Sequence, residues 1–450
     1  MKVHFIAIGG SAMHNLAISL HKKGFVVTGS DDVFTEPSKS RLDRFGLLPE
    51  QSGWNISNIK PDLDAVILGM HAKADNPELL EAQEKGIRIY SYPEYVYEQA
   101  KNKTRVVIGG SHGKTTITSM ILHVLKEASL DFDYLVGAQL EGFDTMVQLT
   151  DAPLIIIEGD EYLASPIDRR PKFHLYQANI GLISGIAWDH INVFPTFDIY
   201  LQQFAVFIDT IQSGGQLIYC EQDEVLKHLV ENNSADINKV AYKLPDYQID
   251  NGITSLIYQD TSYPLQVFGS HNLLNIEAAK AVCKVLQIDE KQFYKAIGKF
   301  KGAAKRLELI GKNLNLNIYK DFAHSPSKLT ATIDAVKQQF KSRKLIACIE
   351  LHTFSSLNKS FLQEYKSTMD AADVAIVFID EHTFVQKNME PYSAEQVKEA
   401  FRNDNIIFFN QAETLFIYLK NLDYTNANLL LMSSGNFAGT DLTKFAESIL

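Results

Sequence analysis

The sequence predicts an α/β fold divided among several domains, and three observations lead to this class. The chain has 450 residues, too many for one ordinary hydrophobic core, which indicates two to four domains of roughly 100–200 residues. Residues 3–29 and residues 105–128 each contain a strand, a glycine-rich turn and a helix in that order. Further short apolar runs predict additional buried strands. Such alternation of strands and helices is typical of parallel sheets covered by helices.

The composition excludes several classes of partner. A formal net charge of −11 argues against broad electrostatic binding to nucleic acid or to an anionic membrane. No apolar run approaches the roughly 18 residues of a membrane span. The N-terminal sequence MKVHFIAIGG has too short an apolar run for a secretory signal. We therefore expect no nucleic-acid partner and no membrane partner.

The three cysteines indicate the redox compartment. Cys220, Cys283 and Cys348 lie far apart and are odd in number, so they predict neither a disulfide framework nor a CxxC metal site. Because free thiols suit a reducing cytosol, we expect the protein to be cytoplasmic.

The first candidate binding site lies near the N-terminus, in a βαβ unit that begins with a strand at residues 3–8. Glycines let the backbone approach phosphate oxygens, and an acidic residue after the second strand can bond a ribose hydroxyl. The candidate residues are Gly9, Gly10, Ser11, Ser30 and Asp31. Because Ala7 and Ala12 break the GxGxxG fingerprint, a tight turn without a ligand is the alternative. Residues 65–69 and 86–92 predict further strands of this small parallel sheet.

The second candidate site carries the most specific motif. A strand at residues 105–108, the loop GGSHGKTT and a helix at residues 117–128 form the arrangement of a P-loop. In such a loop, N–H groups surround a phosphate, Lys114 neutralises charge and the Thr115 hydroxyl can hold Mg²⁺. The general pattern GxxxxGK[ST] fails at Ile108. We predict ATP and Mg²⁺ as cofactors. The loop candidates are Gly110, Ser111, His112, Gly113, Lys114, Thr115 and Thr116.

Two further predicted strands end in side chains that suit a metal site. Residues 154–157 lead to Glu158, and a carboxylate there, beside a P-loop, is well placed for Mg²⁺. A solvated acidic turn is the alternative. Residues 180–183 lead towards His190, for which a capping or core role is the alternative because Mg²⁺ prefers oxygen ligands.

The remaining candidates lie in the second half of the chain. His271 and Asn272 open a predicted helix, where they can cap it or bond a base or ribose. Arg306 suits bidentate phosphate contact. Asp321, which follows a predicted strand at residues 316–319, suits a ribose hydroxyl.

Five segments resemble the motifs of the Mur ligase family, in that family's order, and they span nearly the whole chain. They are GGSHGKTT at 109–116, EGDEY at 158–162, WDH at 188–190, GSHNLLN at 269–275 and KDFAHSP at 320–326. Each motif alone is of moderate specificity, whereas the ordered set is specific. The family's own P-loop form accounts for the departure at Ile108.

The resemblance implies a three-domain Mur ligase architecture. A Rossmann-like N-terminal domain, residues 1–101, would bind a UDP-sugar. A central P-loop domain, residues 102–312, would bind ATP, and a Rossmann-like C-terminal domain, residues 313–450, would bind the incoming amine. The implied catalytic residues are Lys114, Glu158, His190 and His324. The implied metal ligands are Thr115, Glu158 and His190, and the implied ATP contacts outside the loop are His271, Asn272, Arg306 and Asp321.

The implied activity is ATP-dependent formation of an amide bond. A carboxylate is a poor acyl donor, so it first attacks the γ-phosphate of ATP and becomes an acyl phosphate, which the amine then attacks. The resemblance implies that the substrates are UDP-N-acetylmuramate and an amino acid or peptide. We expect a monomer or a weak dimer.

Two branches of the family resemble this sequence. EGDEYLASPIDRRPKF at 158–173, RLELIG at 306–311 and MSSGNFAG at 432–439 favour the recycling branch. That branch adds the tripeptide L-Ala-γ-D-Glu-meso-diaminopimelate to UDP-N-acetylmuramate in peptidoglycan recycling. ELHTFS at 350–355 is closer to the branch of de novo synthesis, which adds L-alanine. We interpret the sequence as a tripeptide ligase, with L-alanine ligation as the alternative.

Three departures from the family pattern bear on the site. Ser184 and Gly185 stand where an asparagine is usual, Ser325 replaces the second histidine of AHHP, and Ser356 replaces an arginine expected after HTFS. Without that arginine, another basic side chain within residues 313–450 must meet the carboxylate of the amine. A non-catalytic nucleotide-binding protein is the second hypothesis. Because the P-loop core is intact, we predict an active enzyme.

Overall fold

The described part of the chain folds into two compact units. The computed structural model describes residues 1–140, 142–188, 193–302 and 306–450. The first unit contains residues 1–186, 197–243 and 278–293, and the second contains residues 187–196, 244–277 and 294–450. The predicted domain boundaries near Lys101 and Lys312 remain predictions.

The first unit begins with a four-stranded parallel sheet and its helices. Its elements are β1 (Lys2–Ile6), α1 (Ser11–Lys22), β2 (Val26–Ser30), α2 (Ser38–Arg44), β3 (Ala65–Leu68), α3 (Pro77–Glu84), β4 (Ile89–Ser91) and α4 (Tyr92–Ala100), with a 3-10 turn at Ile56–Asn58. The strand order is β2-β1-β3-β4, and each neighbouring pair is parallel. The predicted βαβ unit and small parallel sheet are therefore confirmed.

A seven-stranded sheet forms the second layer system of this unit. Its elements are β5 (Thr104–Gly109), α5 (Lys114–Glu127), β6 (Asp133–Leu135), β7 (Val147–Gln148), β8 (Leu154–Glu158), α6 (Lys172–Leu175), β9 (Ile180–Ile183), α7 (Phe197–Asp209), β10 (Gln216–Cys220), α8 (Glu224–Asn232) and β11 (Asn238–Tyr242). The strand order is β11-β10-β9-β5-β8-β6-β7. Strand β7 runs antiparallel to β6, and the other neighbouring pairs are parallel.

The central strands of this sheet bring the candidate loops to one edge. Residues 106–108 and 155–157 are fully buried, as expected of parallel strands with both faces covered. The register pairs Ile108 with Glu158. The carboxyl ends of β5, β8 and β9 therefore lie side by side, which is where open α/β sheets bind their ligands.

Helix α1 is hydrogen-bonded to the hairpin formed by β6 and β7. The Asn15 side-chain oxygen accepts the N–H of Met146 at 3.0 Å, and the Ser19 hydroxyl accepts the N–H of Leu149 at 2.8 Å. These bonds join the first sheet's helix to the edge of the seven-stranded sheet. They help to explain why both sheets belong to one compact unit.

The remaining elements follow in chain order. They are β12 (Tyr247–Asp250), β13 (Ile253–Tyr258), β14 (Thr261–Pro264), α9 (Ser270–Val285), α10 (Glu290–Ile297), β15 (Glu308–Lys312), β16 (Leu316–Asp321), α11 (Pro326–Gln339), β17 (Lys344–Glu350), α12 (Lys359–Leu362), β18 (Val374–Phe378), α13 (Glu381–Gln386), α14 (Ala394–Phe401), β19 (Ile407–Phe409), α15 (Ala412–Lys420), β20 (Ala427–Met432) and α16 (Leu442–Glu447), with a 3-10 turn at Gln363–Tyr365.

The second unit contains two sheets. Strands β12, β13 and β14 form an antiparallel meander, and the larger sheet has the order β15-β16-β20-β17-β18-β19. Strand β15 is antiparallel to β16, whereas the other pairs of the larger sheet are parallel. Separate apolar clusters cover the larger sheet. The carboxyl ends of β16, β20 and β17 are adjacent, so their following loops share one edge.

Within the described ranges, no helix is both long enough and apolar enough to cross a membrane.

Two buried histidines predict a dependence of stability on pH. Burial lowers the pKa of His14 and of His174, which bond the carbonyls of Gly10 at 2.9 Å and Gln203 at 2.7 Å. Unfolded histidine takes up a proton below about pH 6.5, whereas these folded imidazoles stay neutral to lower pH. We therefore expect the free energy of unfolding to fall as pH drops below about 6.5, by at most about 1.4 kcal/mol per pH unit per histidine.

Urea unfolding at pH 7.5 and at pH 5.5 measures this effect. His174→Gln keeps a donor for the Gln203 carbonyl but cannot titrate, so it should reduce the difference between the two pH values. An unchanged pH difference in this variant would contradict the role given to His174.

Candidate active site

The P-loop joins the end of β5 to the start of α5. Gly113 caps the helix with a φ of 78°, and Gly110 has a φ of 123°, conformations that favour glycine. A Cβ at Gly110 would also overlap the Ser184 side chain. The loop therefore exposes its backbone around the start of α5, where helix N–H groups and the helix dipole favour phosphate.

Lys114 lies beside this loop and is paired with a buried carboxylate. Its ammonium donates to Glu161 Oε2 at 2.7 Å and to the Gly110 carbonyl at 2.8 Å. The Lys114 side chain is 12% exposed and that of Glu161 is 1% exposed. Burial works against the charged lysine, but Glu161, Asp160 and Glu158 outweigh it and raise the pKa of Lys114. The ammonium therefore stays charged, as phosphate binding requires.

Glu158, the last residue of β8, contacts Thr115 at the start of α5. Its Oε1 accepts the Thr115 hydroxyl at 2.7 Å, and its Oε2 accepts the N–H of Gly137 at 2.7 Å. Burial raises the pKa of Glu158, and the charge of Asp160 raises it further. Burial destabilises the ionised form of Glu158, and a nearby cation would offset this cost. The oxygens of Glu158 and Thr115 are also the ligand type that Mg²⁺ prefers, so they fit this ion.

The described residues contain no group of three or more His, Cys, Asp or Glu arranged to hold a metal. This is compatible with Mg²⁺, which commonly takes one or two carboxylates together with phosphate oxygens. The third predicted metal ligand, His190, lies outside the described residues, as does the WDH motif from Asp189 onward.

The segment after β9 is hydrogen-bonded to the P-loop. Ser184 donates its hydroxyl to the His112 carbonyl and its N–H to the Gly109 carbonyl. The carbonyl of Gly185 accepts the N–H of Ser111 at 3.0 Å. The departure at positions 184 and 185 is therefore compatible with an ordered loop. Thr116 is buried in the first turn of α5.

Sequence reasoning missed three partners of this site. The sequence indicates Glu161 only as part of an acidic turn, and Gly137 carries no local signal. Tyr200 was also missed, although its hydroxyl lies 2.8 Å from Ser111 Oγ and donates to Glu161 at 3.4 Å. A buried tyrosine on a helix is more often a core residue, so the sequence offered no reason to select it.

The N-terminal glycine turn connects β1 to α1. Gly9 donates its N–H to Asp31 Oδ2 at 2.7 Å, and burial raises the pKa of Asp31. Ser11 is exposed at the start of α1 beside Gly10. The Ser30 hydroxyl instead donates to the buried carboxylate of Glu78 in the core. A sugar-phosphate role for these five residues therefore remains a prediction, with the Ser30 hydroxyl already engaged.

A second group of predicted residues lies in the second unit, around the end of β16. Asp321 accepts the N–H of Leu307 at 2.6 Å and that of Ala323 at 2.7 Å. The guanidinium of Arg306 lies over the Phe322 ring, 4.6 Å from its centroid. The buried carboxylate of Asp321 is thus held mainly by backbone donors, and Arg306 is positioned beside the same loop.

The histidines of this group differ in their surroundings. His271 Nδ1 is buried without a hydrogen-bond partner, and burial lowers the pKa of His271, opposed by Asp321. Asn272 next to it donates to the Phe268 carbonyl at 2.9 Å. His324 Nδ1 bonds the Phe322 carbonyl at 2.7 Å. The orphaned nitrogen of His271 is the atom here that most clearly lacks a partner.

The two remaining departures are buried. Ser356 is fully buried, and its hydroxyl donates to the Thr353 carbonyl at 3.0 Å. Ser325 caps α11, and its hydroxyl has no hydrogen-bond partner. Neither side chain can replace a missing positive charge.

Comparison with known proteins places all three parts of the chain in one family. Residues 2–104 match the family model described as "Mur ligase family, catalytic domain". Residues 108–283 match "Mur ligase middle domain", and residues 305–435 match "Mur ligase, glutamate ligase domain". The predicted three-domain architecture is therefore confirmed.

Individual relatives extend over nearly the full length. The UDP-N-acetylmuramate–L-alanine ligase of Clostridium tetani is 30% identical over 452 residues, covering 97% of this chain and 96% of the relative. The Thermotoga maritima UDP-N-acetylmuramate–alanine ligase superposes with a TM-score of 0.70 at 20% identity, covering 100% and 98% of the two chains. A murein peptide ligase from Psychrobacter arcticus gives 0.66 at 21% identity, with coverages of 100% and 98%.

At such identities the structural likeness establishes the fold, while the family models and the Clostridium relative establish membership. The P-loop with its charged lysine and the buried carboxylates is the arrangement that such an enzyme requires. The chain is a member of the Mur ligase family, whose members are ATP-dependent ligases that form carbon–nitrogen bonds.

Proposed function

We propose that the protein uses ATP and Mg²⁺ to join an amino acid or a peptide to the carboxylate of UDP-N-acetylmuramate. The observation that carries this proposal is the P-loop arrangement. There Lys114 and Thr115 lie beside the buried carboxylates of Glu161 and Glu158, at one sheet edge. Two relatives named above as ligases of UDP-N-acetylmuramate support the choice of acyl donor.

The proposed reaction has two chemical steps. A carboxylate oxygen of UDP-N-acetylmuramate attacks the γ-phosphorus of ATP, the bond to the β–γ bridging oxygen breaks, and ADP and an acyl phosphate form. The acceptor nitrogen then attacks the acyl carbon, and the tetrahedral intermediate collapses to the amide, releasing phosphate and a proton.

The described residues serve the first step. N–H groups at the start of α5 bind phosphate oxygens. The ammonium of Lys114, kept charged by Glu161, stabilises the negative charge that passes to the bridging oxygen. Thr115 and Glu158 would hold Mg²⁺, which would supply neutralisation of phosphate charge. His190 and His324 are proposed as further catalytic groups on the resemblance alone.

The acceptor is proposed to be the tripeptide L-Ala-γ-D-Glu-meso-diaminopimelate. RRPKF at 169–173 and MSSGNFAG at 432–439 support this acceptor. L-Alanine is the alternative, supported by HTFS at 352–355 and by the names of two relatives. Murein peptide ligase appears among the solved structures of the same fold.

The choice between the two acceptors has a direct test. We expect kcat/KM for the tripeptide to exceed that for L-alanine by at least about tenfold. A site built for several carboxylates and amides leaves polar groups unpaired with alanine, at roughly 1–3 kcal/mol each. ADP release with UDP-N-acetylmuramate measures both rates, and mass spectrometry identifies the products.

Two other outcomes would contradict the proposal to different extents. A preference for L-alanine, or equal efficiency, removes the tripeptide proposal and leaves the ligase. Turnover of neither acceptor, with ATP and Mg²⁺ present, refutes the proposed substrate pair.

The proposed setting is the cytoplasm. Cys220, Cys283 and Cys348 are free and buried, which suits a reducing compartment. The expectation of a monomer or a weak dimer remains a prediction.

A further inference from the structure

The hydroxyl of Tyr200 connects helix α7 with two parts of the phosphate site. Tyr200 lies in the first turn of α7 and is fully buried. Its hydroxyl oxygen lies 2.8 Å from Ser111 Oγ in the P-loop and donates to Glu161 Oε1 at 3.4 Å. Ser111 and Glu161 are buried as well. Hydrogen bonds in such surroundings hold their partners more firmly than exposed ones, because the local dielectric is low.

The single proton of a tyrosine hydroxyl gives this contact a direction. A carboxylate oxygen can only accept, so the proton of Tyr200 is used on Glu161. For the 2.8 Å contact to be a hydrogen bond, the Ser111 hydroxyl must therefore donate to the Tyr200 oxygen. A chain of hydrogen bonds thus runs from the P-loop through α7 to the carboxylate of Glu161.

The two oxygens of Glu161 have different partners. Oε2 accepts the ammonium of Lys114 at 2.7 Å, whereas Oε1 accepts the hydroxyl of Tyr200. The last torsion of a glutamate side chain has only a broad preference, so the carboxylate does not determine its own orientation. Because the carboxylate is planar, a donor at Oε1 also fixes the direction of Oε2. The direction of the Lys114 ammonium follows from it.

The ammonium keeps a donor for phosphate in this arrangement. It has three N–H groups, of which Glu161 and the Gly110 carbonyl at 2.8 Å each take one. The direction of the third N–H is set by the other two. The orientation of Lys114 towards a phosphate oxygen therefore depends on how firmly Glu161 is held.

We propose that Tyr200 is a positioning residue for the first chemical step. Through Glu161, its hydroxyl aligns the ammonium of Lys114 with the oxygen that bridges the β- and γ-phosphates. This proposal rests on the proposed function and adds a residue to it. The ring of Tyr200 also packs edge-to-face on Phe204, with centroids 5.2 Å apart. That packing needs no hydroxyl, so Tyr200→Phe separates the positioning role from the packing role.

The expected effect falls on kcat more than on the KM for ATP. The N–H of Ser111 donates to the Gly185 carbonyl at 3.0 Å, so the P-loop backbone keeps a contact that does not involve Tyr200. Backbone N–H groups can then bind phosphate in the ground state as before. The charge of Lys114 matters most when negative charge passes to the bridging oxygen. Tyr200→Phe should therefore lower kcat by about tenfold and change the KM for ATP by less than about twofold.

The test measures kcat, the KM for ATP and thermal unfolding on the same samples. ADP release is followed with UDP-N-acetylmuramate and the acceptor that wild type uses. Tyr95→Phe is the matched control, because Tyr95 is buried in the same unit and its hydroxyl has no hydrogen-bond partner among the described residues. This control should leave kcat and the KM for ATP unchanged.

A double-mutant cycle identifies the route of the effect. Tyr200→Phe is made both in wild type and in Ser111→Ala, where the bond to the P-loop serine is already absent. Because the hydroxyl acts through Glu161, the loss of kcat should be about tenfold in both backgrounds. If Tyr200→Phe alone melts early, the pair in Ser111→Ala decides, since no serine hydroxyl is then left without its acceptor.

Three results would overturn the proposal, at different levels. Unchanged kcat in a folded Tyr200→Phe, with an active wild type, overturns the role of Tyr200 and leaves the ligase proposal standing. A loss of kcat that disappears in Ser111→Ala assigns the hydroxyl to the P-loop serine and overturns the route through Glu161. Wild type that turns over neither acceptor overturns the proposed function, and the role of Tyr200 with it.

Discussion

Replacing Lys114 with alanine is expected to abolish ATP turnover and to destabilise the protein as well. Loss of such a phosphate contact typically costs about 3–4 kcal/mol of transition-state stabilisation. The structure adds a second effect, because Glu161 would remain buried without its partner at 2.7 Å. Breaking a buried ion pair typically costs about 3–5 kcal/mol of stability. The sequence alone predicts the first loss but not the second.

The double variant Lys114→Met with Glu161→Gln separates the two effects. It removes both charges together, so the melting temperature should return towards that of wild type while ATP turnover stays lost. Phosphate release and thermal unfolding are measured on the same samples. Near-normal turnover in the double variant would refute the P-loop assignment.

Glu158→Gln is expected to lower ATP turnover by about 10²- to 10³-fold and to raise stability at neutral pH. A carboxylate whose pKa is raised on folding opposes folding once it is ionised, so its stabilising contribution is lost as pH rises through the folded-state pKa. The amide carries no charge. It can keep both hydrogen bonds if the Thr115 hydroxyl turns to accept one.

Melting temperatures across pH check this expectation. The gain in Glu158→Gln should shrink as pH falls towards about 4.3, the ordinary value for glutamate. Glu84→Gln, at an exposed position in α3, is the control for replacing a glutamate by glutamine outside the site. A Mg²⁺ titration of activity should show weaker dependence in Glu158→Gln. An unaltered Mg²⁺ dependence at wild-type rates would remove Glu158 from the metal site.

Local signals predicted the strands that form the site. The apolar runs before the P-loop, before Glu158 and before Ser184 are continuous, and their glycine or acidic ends mark the carboxyl edge. Such signals depend on a few neighbouring residues, and the structure places β5, β8 and β9 side by side. The βαβ unit at the N-terminus followed for the same reason.

Partners within the site were beyond local signals. Glu158 and Glu161 lie three residues apart, and only the turn after β8 decides that Glu161 pairs with Lys114. Gly137 reaches Glu158 from a hairpin whose strands have three and two residues, too short for any periodic pattern. These relations depend on tertiary contacts.

The hydrogen bonds between α1 and the β6–β7 hairpin bear on where the chain can be cut. Residues 2–104 match a family model of their own. A fragment cut near Lys101, however, would leave the Asn15 oxygen and the Ser19 hydroxyl without the backbone donors of Met146 and Leu149. A truncation that preserves the contacts of α1 would therefore have to retain the β6–β7 hairpin, which lies beyond the segment that the family model matches.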